Sequence, residues 1–203
     1  MPGKKLVFLA IIISIVLLLG GFAYQRIEWP SKNSPEKQVA GIFVGNPKAP
    51  LVVQAYISYL CPACASFMLT TYPEIEKNYV LPGKVQFEFF LLPPYDIAQT
   101  GLCAQKQGKF MPFSEAAFQK QNFVQTASDL FDFTPQAGLD RDLFVKCLKA
   151  QTDFSLVEKW YQQALGKNII STPTFLIGDS QSLVVGAYTY SVFANLLEQK
   201  LKQ

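Results

Sequence analysis

Apolar residues are grouped along this chain so that each stretch has its own period. Leu6 to Ala23 is one uncharged, mostly apolar run without a polar face. From Tyr24 to Gln38 the pattern vanishes: Trp29-Pro30, Ser31, Asn33 and Ser34-Pro35 stand among mixed charges, and the segment reads as a tether. Ile42-Phe43-Val44 predicts a short first strand, Asn46 to Pro50 a turn, and Leu51 to Ser58 a buried central strand. Ala65, Met68, Leu69, Tyr72, Ile75 and Tyr79 then recur at helical spacing, with Pro73 expected to bend or break that helix. Lys84 to Leu92 is a second apolar strand, stopped by Pro93-Pro94.

Residues 95–167 have helical periods and no strand pattern. Leu139, Leu143, Phe144, Cys147 and Leu148 form one predicted apolar face. Leu156, Val157, Trp160, Ala164 and Leu165 form another, with Gly166 as its expected C-cap. Thr174-Phe175-Leu176-Ile177, a Gly178-Asp179-Ser180 turn and Leu183-Val184-Val185 read as a strand pair. An amphipathic helix follows from about Tyr190 to Lys202. The order is strand, helix, strand, helical insertion, hairpin and helix. It predicts an α/β domain with a small mixed sheet and an inserted all-helical subdomain.

The first apolar run bears on location. Lys4 and Lys5 precede it and no acid lies within it. Its length approaches the ~17–25 residues that span a bilayer, and the flanking lysines place the N-terminus on the cytoplasmic side. Residues 1–23 are therefore expected to be a membrane anchor, residues 24–38 a linker and residues 39–203 the folded domain. Gly21-Phe22-Ala23 also fits a cleavage site, so a removed signal peptide is the rival reading. Both readings put the domain outside the cytoplasm, in the periplasm or at the exterior of the cell envelope, where disulfides form and persist.

The strongest chemical signal is Cys61-Pro62-Ala63-Cys64, at the junction of the central strand and the following helix. Two thiols at this spacing can close a small disulfide ring. The first sits where unpaired helix N–H groups favour a thiolate, the attacking species in thiol–disulfide exchange. The second can resolve a mixed disulfide.

Charge adds little. The chain carries 18 basic and 15 acidic residues, a net +3, and two of the basic ones are Lys4 and Lys5. That balance argues against a nucleic-acid surface. No repeat, phosphate-binding glycine loop or low-complexity tract is present.

With Cys61-Pro62-Ala63-Cys64 behind the first main strand and Ser171-Thr172-Pro173-Thr174-Phe175 before the next, the chain resembles the thioredoxin superfamily. More narrowly it resembles the DsbA-like thiol:disulfide oxidoreductases, whose thioredoxin fold is interrupted by a helical insertion. The resemblance runs from Ile42 to the C-terminus through Gly45-Asn46-Pro47-Lys48-Ala49-Pro50, Gly83-Lys84-Val85-Gln86-Phe87, Cys103-Ala104, Gln107 to Phe110, Phe144 to Leu148 and Gly186-Ala187. It implies catalytic Cys61 and Cys64, and a cis Thr172–Pro173 bond facing them that positions an extended substrate chain. It implies no cofactor and no metal. The implied partners are cysteine-containing substrate proteins and a quinone-linked membrane thiol oxidase that recycles the enzyme. A monomer is the default state. The direction of electron flow stays open, with a reductase or isomerase as the alternative to a disulfide donor. A thioredoxin-fold copper chaperone is the non-enzyme alternative, since soft thiolates suit Cu(I).

The resemblance also implies a second disulfide, Cys103–Cys147, at positions matched in some DsbA-like proteins. Two separate buried thiols are the other reading.

This chain departs from the family in three places. It has no histidine at all, so Ala63 stands where many relatives place one between the cysteines. Cys61 is therefore expected to be less acidic, and the disulfide less oxidising, than in histidine-bearing relatives. The acid common six positions before the first cysteine is replaced by Ala55. The insertion histidine near Met111-Pro112-Phe113 is also missing. Glu88 interrupts an apolar strand and is expected on a solvated face, with a buried acid as the alternative. Pro93-Pro94-Tyr95 either lines a groove beside the cysteines or simply ends a strand.

Overall fold

The computed structural model describes residues 38–179 and 182–203. The apolar segment from Leu6 to Ala23 and the tether lie outside the described residues, and among those described no helix is long and apolar enough to cross a membrane.

Five strands form one mixed sheet in the order β1-β3-β2-β4-β5. They are β1 (Ile42–Val44), β2 (Leu51–Ile57), β3 (Val85–Leu91), β4 (Thr174–Ile177) and β5 (Val184–Val185). β2 runs parallel to β3, with Ala55 opposite Phe89, and antiparallel to β4, with Ala55 opposite Phe175. β1 and β5 pair antiparallel to β3 and β4 at the two edges. Every residue of β3 and of β4 is buried. This burial on both faces explains their continuous rather than alternating apolar pattern.

The helix after β2, α1, spans residues 62–80 without a break. Its α-helical parts, Pro62–Ser66 and Tyr72–Ile75, are interleaved with π-helical turns at Phe67–Thr71 and Glu76–Val80. The expected break at Pro73 does not occur. The π turn closes with the Tyr72 N–H on the Phe67 carbonyl, so Pro73 falls in the first turn of the next α segment, where its missing N–H costs little.

The insertion consists of α2 (Tyr95–Lys106), α3 (Phe110–Gln119), two 3-10 turns, α4 (Arg141–Ala150) and α5 (Phe154–Gly166). α6 (Tyr190–Leu201) closes the chain. Side chains of β2 and β3 point alternately to the two faces. On one face, Phe67 and Tyr72 of α1 and Phe193 of α6 pack with Phe87, Phe89 and Phe175. On the other, Tyr56 stacks on Phe90, and Phe90 meets Trp160 of α5 edge-on. The Trp160 indole N–H donates to the Ala40 carbonyl at 3.0 Å, which satisfies the polar tip of an otherwise buried ring.

Three sequence expectations need correction. Leu143 is 56% exposed and Leu165 also faces outward, so neither belongs to the buried stripe of its helix. Leu143 occupies the first turn of α4, where Asp140 caps its backbone N–H, and Phe144 supplies the inward contact. Gly166 ends α5 but does not cap it: Asn168 takes the left-handed conformation at φ 58°, which asparagine tolerates. Glu88 is buried, not solvated. Its carboxylate accepts from the Gly41 N–H at 2.9 Å and from Gln54 Nε2 at 2.8 Å, and Lys167 Nζ donates to Gln54 Oε1 at 2.8 Å. These bonds join β1, β2 and β3 and offset the cost of burying the charge.

Candidate active site

β2 ends at Ile57, and a turn closed by the Cys61 N–H on the Ser58 carbonyl carries the chain into α1. Cys61 is the N-cap of that helix, and its sulfur accepts the Cys64 N–H at 3.3 Å. Pro62 follows at the first helical position, where proline fits without losing a bond. Cys61 is half-buried, whereas Cys64, one turn on, is wholly buried. Both are free thiols in this structure.

β4 brings the second half of the site. The Thr172–Pro173 bond is cis, and the Thr172 carbonyl accepts from the Cys61 sulfur at 3.0 Å. The Thr174 hydroxyl on the Ser171 carbonyl and the Gly186 N–H on the Pro173 carbonyl fix this loop. Residues 111 positions apart are thereby joined across the ends of two adjacent strands.

The environments of the two thiols drive them apart. Cys61 is held down at about 5. The Cys64 thiol hydrogen-bonding to it is the main cause, partial burial opposes it, and Thr172 with the backbone N–H groups of Cys64 and Ala63 adds to the lowering. Cys64 is pushed far above the thiol range by burial first, then by its bond to Cys61 and the charge there. Cys61 thereby ionises far more readily than the buried thiol beneath it, and on ionising it gives up its donation to the Thr172 carbonyl.

Beside Cys61 lies a groove of about 670 Å³. Pro93, Pro94 and Tyr95 form one wall, Leu165, Ile169, Ile170 and Thr172 another, and among the described residues no Asp, Glu, Lys or Arg lines it. The proline pair therefore borders a groove as well as ending a strand. The wall from Ile169 and Ile170 was not singled out in the sequence, although an apolar pair immediately before Ser171-Thr172-Pro173 is a readable signal; Ile170 is 89% exposed.

Glu88 does not replace the missing acid under Cys64. It follows Phe87 and precedes Phe89, which face α1, so it points to the opposite side of the sheet. Ala55 is fully buried and offers no proton. Met68 is likewise buried in the core.

Cys103 of α2 and Cys147 of α4 form a disulfide that closes a separation of 44 residues. Next to it Lys106 pairs with Asp153 at 2.6 Å. The bridge ties two insertion helices and takes no part in the Cys61 surroundings.

A thiolate at a helix N-terminus, a buried partner thiol and a cis proline, held on a thioredoxin-type sheet with a helical insertion, define the class. A family model described as thioredoxin matches residues 37–199, and the chain belongs to that family. Among solved structures, alpha-DsbA1 of Wolbachia pipientis superimposes with a TM-score of 0.70 at 22% identity, covering 79% of this chain and 90% of that one. Oxidised BdbD of Bacillus subtilis gives 0.70 at 24% identity, covering 82% and 99%. The fold is thus that of the DsbA-like proteins. Disulfide bond formation protein D of Bacillus subtilis is 22% identical over 180 residues, 78% of this chain and 76% of that protein. A Rickettsia felis protein, provisionally named a protein-disulfide oxidoreductase, is 24% identical over 169 residues; the match spans 79% of this chain but only 60% of that protein.

Proposed function

We propose that this chain is an exported thiol:disulfide oxidoreductase that donates its Cys61–Cys64 disulfide to substrate proteins. The observation that carries this reading is the asymmetry of the pair: a half-buried Cys61 sulfur at the start of a helix, accepting the Cys64 N–H and facing the cis-proline loop, above a wholly buried Cys64, a setting that lowers the first thiol and raises the second. A thiolate stabilised in this way favours the reduced pair, which makes the disulfide a stronger oxidant.

In the oxidising direction a substrate thiolate attacks the Cys61 sulfur. The Cys61–Cys64 bond breaks, Cys64 leaves with the bonding electrons and takes up a proton, and a substrate–Cys61 disulfide forms. A second substrate thiolate attacks the substrate sulfur of that bond and expels Cys61 as a thiolate. The substrate has lost two electrons and its thiol protons. The enzyme holds both electrons, with one proton on Cys64. Thr172 and Pro173 present backbone to the incoming chain, and the uncharged groove beside Cys61 receives its flanking residues.

The apolar segment from Leu6 to Ala23 supports export, and as an anchor it would raise the local concentration of a quinone-linked thiol oxidase in the same membrane.

Trapping tests the reading. Cys64→Ser, with Cys61 first loaded as a mixed disulfide with glutathione, should exchange with reduced substrate proteins, releasing glutathione thiolate and leaving enzyme–substrate disulfides at Cys61, whereas Cys61→Ser treated alike should accumulate none. Equal trapping by both variants would contradict the assignment of roles.

A further inference from the structure

A cleft of about 450 Å³ lies between α1 and α3, and the redox chemistry makes no use of it. Each helix presents to it one row at four-residue spacing: Met68, Tyr72 and Glu76 from α1, and Met111, Glu115 and Gln119 from α3. Met68 and Met111 are the only methionines after Met1.

The polar half of the cleft is incomplete. The Tyr72 hydroxyl is fully buried and has no hydrogen-bond partner. Glu76 is half-buried, and the charge of Glu115 acts on it. Glu115 accepts only from Gln119 Nε2, at 3.2 Å, and neither carboxylate has a cationic partner among the described residues. Two like charges and an unsatisfied phenol lining one cleft favour a ligand that brings positive charge and several N–H donors.

We propose that this cleft is a docking site for an arginine side chain presented by a partner protein. The alkyl stem would lie on the thioethers of Met68 and Met111, flexible groups that adapt to such a contact. The guanidinium would lie between Glu76 and Glu115, with the Tyr72 oxygen accepting a further N–H. Arginine fits better than a bare ion, because the volume lies within the ~300–1,000 Å³ of organic-ligand pockets and Met68, Leu69, Met111 and the two prolines give the wall an apolar side. It fits better than lysine because its planar fork of five donors can serve two carboxylates at once. The inference is independent of the redox reading.

The full chain in detergent micelles, labelled with ¹³C at the methionine methyls, tests it by titration with N-acetyl-arginine amide. The signals of Met68 and Met111 should shift saturably while that of Met1 stays still. The citrulline analogue, equal in shape but uncharged, should leave all three in place. Glu115→Gln, an exposed substitution, should weaken the arginine response at least about tenfold, the loss of one charge-assisted contact, without moving the Cys61–Cys64 potential. Tyr72→Phe should weaken it with the methyl dispersion retained, and if that variant does not fold, Glu115→Gln alone decides. An absent response, an equal response to citrulline, or a response to calcium or magnesium chloride at lower concentration than to arginine would overturn the proposal.

Discussion

The Cys61 sulfur and the Thr172 carbonyl oxygen lie 3.0 Å apart, although 111 residues separate them in the chain. β2 ends beside the start of β4, so the helix N-terminus that carries Cys61 and the cis peptide at Pro173 meet at one end of the sheet. Neither element makes a site alone: the helix start supplies donors to sulfur, and the loop supplies backbone to a substrate chain.

The acidity of Cys61 should depend on its neighbour. In the reduced protein, thiolate absorbance should titrate with a midpoint near pH 5. Because the Cys64 thiol is the largest cause of the lowering, Cys64→Ala should move the midpoint upward. An unmoved midpoint would assign the effect to the helix N-terminus instead.

The same shift sets a pH dependence of stability. The folded value for Cys61, about 5, is below its ordinary 9.0, so the native reduced state binds fewer protons than the unfolded chain between these limits. The stabilisation is complete above pH 9 and is lost as pH falls to 5. Cys64 acts in the opposite sense and costs stability above its ordinary range, where the unfolded thiol ionises. Urea midpoints of the reduced protein, compared with those of Cys61→Ala, should therefore diverge as pH rises from 5 to 9.

The redox potential should follow the proton count. Between about pH 5 and 9 reduction takes up one proton per two electrons, so the potential should fall by ~30 mV per pH unit, and by about twice that below pH 5. A uniform steep slope across the range would mean that Cys61 is protonated at neutral pH.

The insertion disulfide should be structural. Cys103→Ala/Cys147→Ala should lose roughly 2–4 kcal/mol in denaturant unfolding, the usual range for closing such a loop, with the Cys61–Cys64 potential unchanged. A shifted potential would mean that the insertion is coupled to the active pair.

Glu88 should matter for stability and not for thiol chemistry. Glu88→Ala leaves the Gly41 N–H and the Gln54 amide without their acceptor, a cost of about 1–3 kcal/mol per stranded group. The Cys61 titration should stay where it is, because Glu88 lies on the far face of the sheet from α1.

The strands, their succession along the chain and the cysteine pair were legible because each depends on short-range pattern. β2 and β3 are compact apolar runs, and Cys61-Pro62 marks a helix start by its chemistry. The errors fall where tertiary context decides. Pro73 reads as a breaker, but a π turn absorbs it. Leu143 and Leu165 match a helical period, yet their turns face solvent at the edge of the insertion. Glu88 breaks an apolar strand, and only the approach of Gly41 and Gln54 makes its burial tolerable. The groove wall at Ile169 and Ile170 left only a weak trace in the sequence, an apolar pair just before Ser171-Thr172-Pro173, and the fold gives that pair its meaning by setting it across from Pro93 and Pro94.

Equilibration of the protein in glutathione buffers of graded poise, read by thiol alkylation and mass, tests disulfide donation most directly. A Cys61–Cys64 potential nearer the roughly −120 mV of DsbA than the −270 mV of thioredoxin is the expected result. A potential at or below that of thioredoxin would make the chain a reductant and contradict the proposed direction of electron flow.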